Sequence, residues 1–198
     1  MSIVIMGLGN PGKEYEKTRH NAGRTAVALL ATQEGFPDFV FNKKANALIL
    51  EGKIGKAKAM LALPETMMNN SGRAASALVK SVRAARDLLI IRDDLDLPLG
   101  ALKMTFARGS GGHKGVESVM RALKTDAFAQ LKIGISGAGK RHQAKKVSGD
   151  EKVLNHVIGK WKPSEEAAAK KVFKKAAEAA KLFATLGLDA ATQFANTR

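Results

Sequence analysis

The chain reads as α/β, a three-layer α/β/α sandwich built on a mixed, mostly parallel sheet. Three observations point there. Short apolar runs bounded by Gly, Pro or Asp cover 3–6, 47–50, 58–63, 88–92, 102–106 and 131–135, which is the signature of buried strands. Helical periodicity occupies 23–33, 71–82 and 116–123, between several of those runs, as expected when helices cover a sheet. The runs at 88–92 and 102–106 follow each other so closely that some antiparallel pairing is expected.

Taken in order, strand 3–6 breaks at Gly7 into Gly7-Leu8-Gly9-Asn10-Pro11-Gly12. The glycine spacing matches a dinucleotide fingerprint, but no helix opens at Gly12 and no acidic residue closes a second strand at the required distance. The glycines are therefore read as shaping a turn that presents Asn10. The polar segment Thr18-Arg19-His20-Asn21 then delivers one of four histidines ahead of helix 23–33. Strands 47–50 and 58–63 lead to Pro64-Glu65-Thr66-Met67-Met68-Asn69-Asn70-Ser71-Gly72. Here one amide is expected to project into a cleft while a neighbour caps helix 71–82. Strand 88–92 ends in Arg92-Asp93-Asp94-Leu95-Asp96-Leu97-Pro98, read as a turn in which Asp96 caps and Pro98 fixes the exit. Gly109-Ser110-Gly111-Gly112-His113-Lys114-Gly115 precedes helix 116–123 and is either an anion cradle or a flexible loop.

The last third differs. Residues 137–149 read as a mobile basic loop and 151–161 as a short amphipathic helix. The segment Pro163-Ser164-Glu165-Glu166 opens a long helix, 164–186, with Ser164 as N-cap and Gly187 as stop. Its lysines Lys170, Lys171, Lys174, Lys175 and Lys181 read as a solvated face. With no repeat and no long linker, 1–198 is expected to be one domain.

Composition narrows the function. There are 33 Lys and Arg against 18 acids, a net charge of +15, and an excess of that size favours a polyanion. With one Trp, one Tyr and eight Phe, stacking on many bases is not expected. The absence of cysteine excludes disulfides and thiolate chemistry. No run approaches membrane length, so the expectation is a cytoplasmic protein with no membrane partner.

The groups suited to chemistry are few. His20 is the candidate base, and a carboxylate from the 93–96 cluster would orient it and stabilise its cationic form. Without a nucleophile elbow or a cysteine, the simplest nucleophile is water. Alternatively, Asp93, Asp94 and Asp96 would together bind Mg²⁺ or Ca²⁺ for a metal-dependent phosphoesterase, although the spacing lacks the glycine and terminal Glu of an EF-hand.

Five motifs in order carry a resemblance: Gly-Leu-Gly-Asn-Pro-Gly, Tyr-x4-His-Asn-x-Gly, Met-Asn-x-Ser-Gly, Asp-x-Leu-Asp-x-Pro-x-Gly and Gly-Gly-His-x-Gly. Together they resemble the bacterial-type peptidyl-tRNA hydrolases over nearly the whole chain. The resemblance implies cleavage of the ester between a peptide and the 3′ end of tRNA, with no cofactor and no metal. It casts His20 as the base that activates water and Asp93 as its orienting carboxylate. Asn10, Tyr15, Asn69, His113 and Lys114 would bind the substrate, and 137–161 would form the lid. Lys132 would belong to a clamp for the tRNA 5′ phosphate, with Lys103 or Arg108 as its second half. The partner is peptidyl-tRNA, through its acceptor arm and its peptide, and a monomer is expected. Two positions depart from the family pattern. Lys114 stands where the family has Asn, and Thr105 where it carries a basic residue. A lysine at 114 would lower the pKa of His20 or contact RNA phosphate. These departures motivate the runner-up, a non-catalytic, hydrolase-like RNA-binding protein akin to splicing factors.

Overall fold

The computed structural model describes residues 2–137, 144 and 147–197. Seven strands form one sheet: β1 (Ile3–Gly7), β2 (Val40–Asn42), β3 (Ala47–Ile54), β4 (Ala57–Pro64), β5 (Leu88–Pro98), β6 (Leu102–Phe106) and β7 (Ala129–Ser136), in the spatial order β2-β3-β4-β1-β5-β7-β6. The central pairs β4–β1, β1–β5 and β5–β7 are parallel. The outer pairs β2–β3, β3–β4 and β6–β7 are antiparallel. The sheet is thus mixed with a parallel centre. The antiparallel partner of β6 is β7, which inserts between β6 and β5 despite the short connection from β5 to β6.

Two apolar layers cover the sheet, because its central strands are buried on both faces. One layer packs α1 (Ala22–Gln33), α5 (Pro163–Leu186) and α6 (Leu188–Asn196) on Ile5, Leu61, Leu89, Ile91 and Leu131. The other packs α2 (Gly72–Leu78) and α3 (Lys114–Leu123) on Val4, Met6, Leu88 and Ile90. α4 (Asp150–Ile158) overlaps the expected 151–161 helix, beginning one residue earlier and stopping before the tryptophan. No described helix is long and apolar enough to cross a membrane.

Five local expectations are corrected. β5 does not end at Arg92 but runs to Pro98, since Asp93 and Asp94 find partners inside the protein, and the ladder to β7 shifts register only between Asp94 and Pro98. The Asp96 side chain does not cap a turn; its N–H donates to Asp94 Oδ1 at 2.8 Å. α2 stops at Leu78 because Val79 turns extended and buries its side chain in the second layer. Neither asparagine nor Ser71 caps α2; the Gly72 N–H is satisfied by Ser118 Oγ of α3 at 3.0 Å. At α5 the N-cap is Lys162, not Ser164: Pro163 takes the first helical position and Glu165 Oε2 reaches back to the Lys162 N–H at 2.9 Å. Gly187, at φ 89°, ends α5 as expected but leads straight into α6. Asn196 of α6 then covers the edge strand β6, its Oδ1 accepting from the Met104 N–H at 2.7 Å and its Nδ2 donating to the Met104 carbonyl.

Candidate active site

The site is built where the carboxyl ends of β1 and β5 meet the start of α1. A Cβ on Gly7 would lie 2.5 Å from the Gly23 carbonyl oxygen, and one on Gly23 only 2.0 Å from that of Ile91. Two motif glycines therefore exist to let a helix touch the sheet. The contact is locked by Leu8 N–H to the Ile91 carbonyl and Arg24 N–H to the Leu8 carbonyl, at 2.9 and 3.0 Å. This seats the short segment Arg19–Asn21 directly over the end of β5.

Its three residues divide the work. Asn21, fully enclosed, exchanges two hydrogen bonds with the backbone of Asn10 (Nδ2 to O 2.9 Å, N–H to Oδ1 2.8 Å) and so fixes the Asn10 loop. Arg19 is equally buried, pairs with Glu165 at 2.6 Å, donates to the Lys160 carbonyl and lies 5.2 Å above the Trp161 ring. It ties this segment to the chain that leaves α4. Between them, His20 lines the cavity described below.

His20 Nδ1 lies 2.9 Å from Asp93 Oδ1, and His113 Nε2 lies 3.0 Å from the same oxygen. The hydrogen-bond network assigns both tautomers. The Val116 N–H can only donate, so His113 Nδ1 accepts it at 3.3 Å and the ring proton of His113 sits on Nε2, facing Asp93. Asp93, as a carboxylate, can only accept, so His20 donates through Nδ1 and its Nε2 is left with a lone pair.

Electrostatics separate the two rings. Burial pushes His20 downward, but the adjacent Asp93 carboxylate, by charge and hydrogen bond, lifts its pKa above the ordinary histidine value; the Lys114 ammonium pulls the other way. His113 is more deeply buried, and burial prevails over Asp93, so it is held below the ordinary value and stays neutral. Burial disfavours the Asp93 charge, yet the two histidines hold its carboxyl well below the usual range. One ring is thus a tuned base and the other a neutral prop.

A cavity of about 660 Å³ opens at this triad and is lined further by Lys114, Leu95, Val153, Leu154 and Val157. Leu154, on α4, is 56% exposed and offers an apolar wall. Lys114 is exposed at the first position of α3, where the positive helix end disfavours a cation, so local helix stability does not explain it.

The other expected residues fall into three groups. Asn10 is buried and its Oδ1 accepts from the Met68 N–H at 2.7 Å, which joins the first glycine loop to the Met68–Asn70 turn; its Nδ2 makes no hydrogen bond among the described residues. Asn69 is exposed on that turn, and Tyr15 is half-buried in the 12–18 turn; neither is among the residues lining the cavity. His113, expected to bind substrate, lines the cavity, and both its ring nitrogens are engaged inside the protein. Lys132 pairs with Asp94 at 3.6 Å and stands opposite Lys103 across the β6–β7 ladder. Like charges set opposite each other cost stability. Thr105, on the same side of β6 as Lys103, is half-buried with its Oγ1 unpartnered among the described residues. Arg108 is exposed beyond the end of β6.

The acidic cluster does not converge on a metal. Asp94 is spent on Arg92 (2.9 Å), Lys132 and the Asp96 N–H, and it alternates with Asp93 across the strand. Among the described residues one group brings three candidate ligands together, His20, Asp93 and His113, and both histidines already share Asp93 Oδ1 through protons. The roles of Asn21 and of His113 as a prop were not read from the sequence. The His20-Asn21 dipeptide and the Gly-Gly-His motif were the available signals.

A sequence model of the family described as "Peptidyl-tRNA hydrolase" matches residues 4–198. The chain is similar to the peptidyl-tRNA hydrolases of Parasynechococcus marenigrum, at 37% identity over 98% of this chain and 93% of that protein, and of Dehalococcoides mccartyi, at 36% over 98% and 99%. Among solved structures, the peptidyl-tRNA hydrolase of Acinetobacter baumannii superimposes with a TM-score of 0.87 at 31% identity, covering 99% of this chain and 95% of that one.

Proposed function

The chain belongs to the peptidyl-tRNA hydrolase family and hydrolyses the ester that joins a peptide to tRNA, and from that premise we propose that His20 Nε2 is the base that takes the proton from water. The observation that carries the assignment is the 2.9 Å bond from His20 Nδ1 to Asp93, which fixes the tautomer and leaves Nε2 unprotonated at the cavity wall. The relatives carry the hydrolase name, so the non-catalytic RNA-binding alternative has no support from them.

Water attacks the ester carbonyl carbon while His20 Nε2 accepts its proton, and Asp93 stabilises the imidazolium that forms. The Asn10 amide, with Asn69 approaching from the turn it shares with Met68, donates to the peptide backbone and the developing oxyanion. The carbon–oxygen bond to the terminal ribose then breaks, and His20 returns the proton to the ribose oxygen. The products are a free peptide carboxylate and a tRNA with a free terminal hydroxyl. Neutral His113 keeps Asp93 in place without competing for the proton.

The remaining residues receive the two ends of the substrate. Segment 137–161 acts as the lid, with Val153, Leu154 and Val157 of α4 facing the peptide; part of its basic loop lies outside the described residues. Tyr15 borders the path of the RNA end. Lys132 and Lys103 form the cation pair for the tRNA 5′ phosphate, with Arg108 beside them, and Lys103 takes the place that Thr105 leaves without a charge. One chain holds the base, its carboxylate and the cavity, which supports a monomer as the working unit.

N-acetyl-aminoacyl-tRNA hydrolysis in the presence of a metal chelator tests the reading. The expected result is turnover by the unaltered protein and a loss of about 10²–10⁴ in His20→Ala, the usual worth of a general base. An inert protein, or a His20→Ala variant at full rate, contradicts it.

A further inference from the structure

A second cavity of about 670 Å³ lies between α2 and α3, on the flank of α3 away from its catalytic end. Asn46, Thr66, Met67, Asn70, Arg73 and Arg121 line it, and among the described residues no carboxylate does. Neither arginine takes part in an ion pair among the described residues. The turn that carries Asn46 also carries Lys43 and Lys44, both exposed. A second observation is independent of these charges. Thr66 is 9% exposed, and its Oγ1 has no hydrogen-bond partner among the described residues. A buried hydroxyl left unpaired is unfavourable unless something else bonds to it.

The catalytic cavity differs, because five carboxylates outnumber Arg92 and Lys114 in its lining. Asp93, Asp94, Asp96, Asp150 and Glu151 border it, a poor setting for a phosphate. Helix α3 connects the two: Lys114 faces the catalytic cavity and Arg121 the groove, seven residues or about 10 Å further along the axis. We propose that this groove is a second anion site, which holds a backbone phosphate of the single-stranded 3′ end of the substrate RNA where that strand leaves the catalytic cavity. The proposal rests on the reading of the chain as a peptidyl-tRNA hydrolase. The two guanidinium groups bind the phosphate oxygens, and the Thr66 hydroxyl donates the bond it otherwise lacks.

Binding of a short single-stranded RNA with the sequence of a tRNA 3′ end, followed by fluorescence anisotropy through a salt series, tests the site. In R73A/R121A the slope of log affinity against log salt is expected to shrink by about 1.4, from two contacts at about 0.7 each for a single strand, with weaker binding at every salt concentration. Thr66→Val keeps the shape and deletes the hydroxyl. It is expected to weaken RNA binding while raising the melting temperature, whereas a merely structural threonine would leave RNA binding alone. Unchanged affinity and slope in R73A/R121A overturn the proposal. So does weakened binding of an acidic peptide with RNA binding intact, which makes the groove a peptide site. Inorganic phosphate binding that R73A/R121A abolishes while RNA affinity stays unchanged also overturns it, and marks an adventitious ion only. Hydrolysis of peptidyl-tRNA by the unaltered protein is measured alongside; its failure removes the catalytic reading, while the groove is judged on RNA binding alone.

Discussion

Replacing Asp93 with asparagine removes one charge from the centre of the site with little change in shape. Asp93 Oδ1 lies 2.9 Å from His20 Nδ1, and His20 carries a positive charge once it has taken the proton from water. Two opposite charges with centres about 4 Å apart attract by roughly 4 kcal/mol at an effective dielectric constant of about 20. That attraction is present in the transition state and absent from the resting neutral ring, so its loss appears in kcat, as a drop of about 10³ at 1.4 kcal/mol per decade. A second effect has a definite sign. Asp93 is what raises His20 against its own burial, so in Asp93→Asn the pH at which activity rises moves downward even as the plateau falls. The assay is kcat and KM for N-acetyl-aminoacyl-tRNA across the neutral pH range. Thermal melts separate catalysis from folding. The Asp93 carboxyl is depressed in the native state, so its contribution to stability is present above about pH 4 and is lost as pH falls through the folded value. The variant should therefore show a flatter acid limb of stability. A kcat close to that of the unaltered protein, with the inflection unmoved, would refute the reasoning.

Three further outcomes follow from the same geometry. Lys114→Asn removes a cation that depresses His20, so the inflection of the kcat/KM pH profile should move to higher pH; no movement, or movement downward, contradicts the placement of Lys114 beside the base. Lys103→Ala with Lys132→Ala should reduce the salt slope of tRNA affinity by about 1 per lysine and act mainly on KM; an unchanged slope removes the cation pair from the RNA interface. Gly23→Ala forces a Cβ against the Ile91 carbonyl oxygen, an overpacking that costs about 1–3 kcal/mol or more, and the melting temperature should fall by roughly 2–4 °C for each kcal/mol.

The legible parts of the molecule were those encoded locally. Six of the strands and the cores of five helices carry apolar periodicity that a single segment can announce. β2 does not, since Val40 and Phe41 are exposed on an edge strand of three residues, and nothing in their neighbourhood distinguishes them from loop. α6 was hidden because Gly187 ends α5 in the expected way, and only the packing of Ala191 and Ala195 shows that a second helix begins at once. The Asp93–Asp94 pair looked like a turn because acids rarely continue a buried strand. Apart from Arg92 beside Asp94, their side-chain partners His20, His113 and Lys132 lie far away in sequence, and the fold alone brings them in. The same is true of the site. His20 and Asp93 were readable as a base and its carboxylate, whereas the His113 tautomer depends on an N–H three residues downstream, fixed only when α3 forms.

The most direct test of the account is a histidine titration by ¹⁵N NMR beside the pH dependence of kcat/KM. The expected result is that neutral His20 carries its proton on Nδ1, titrates above the ordinary histidine value, and does so at the pH where activity rises. A His20 proton found on Nε2, or a titration that does not coincide with the kinetic inflection, would contradict its role as the base.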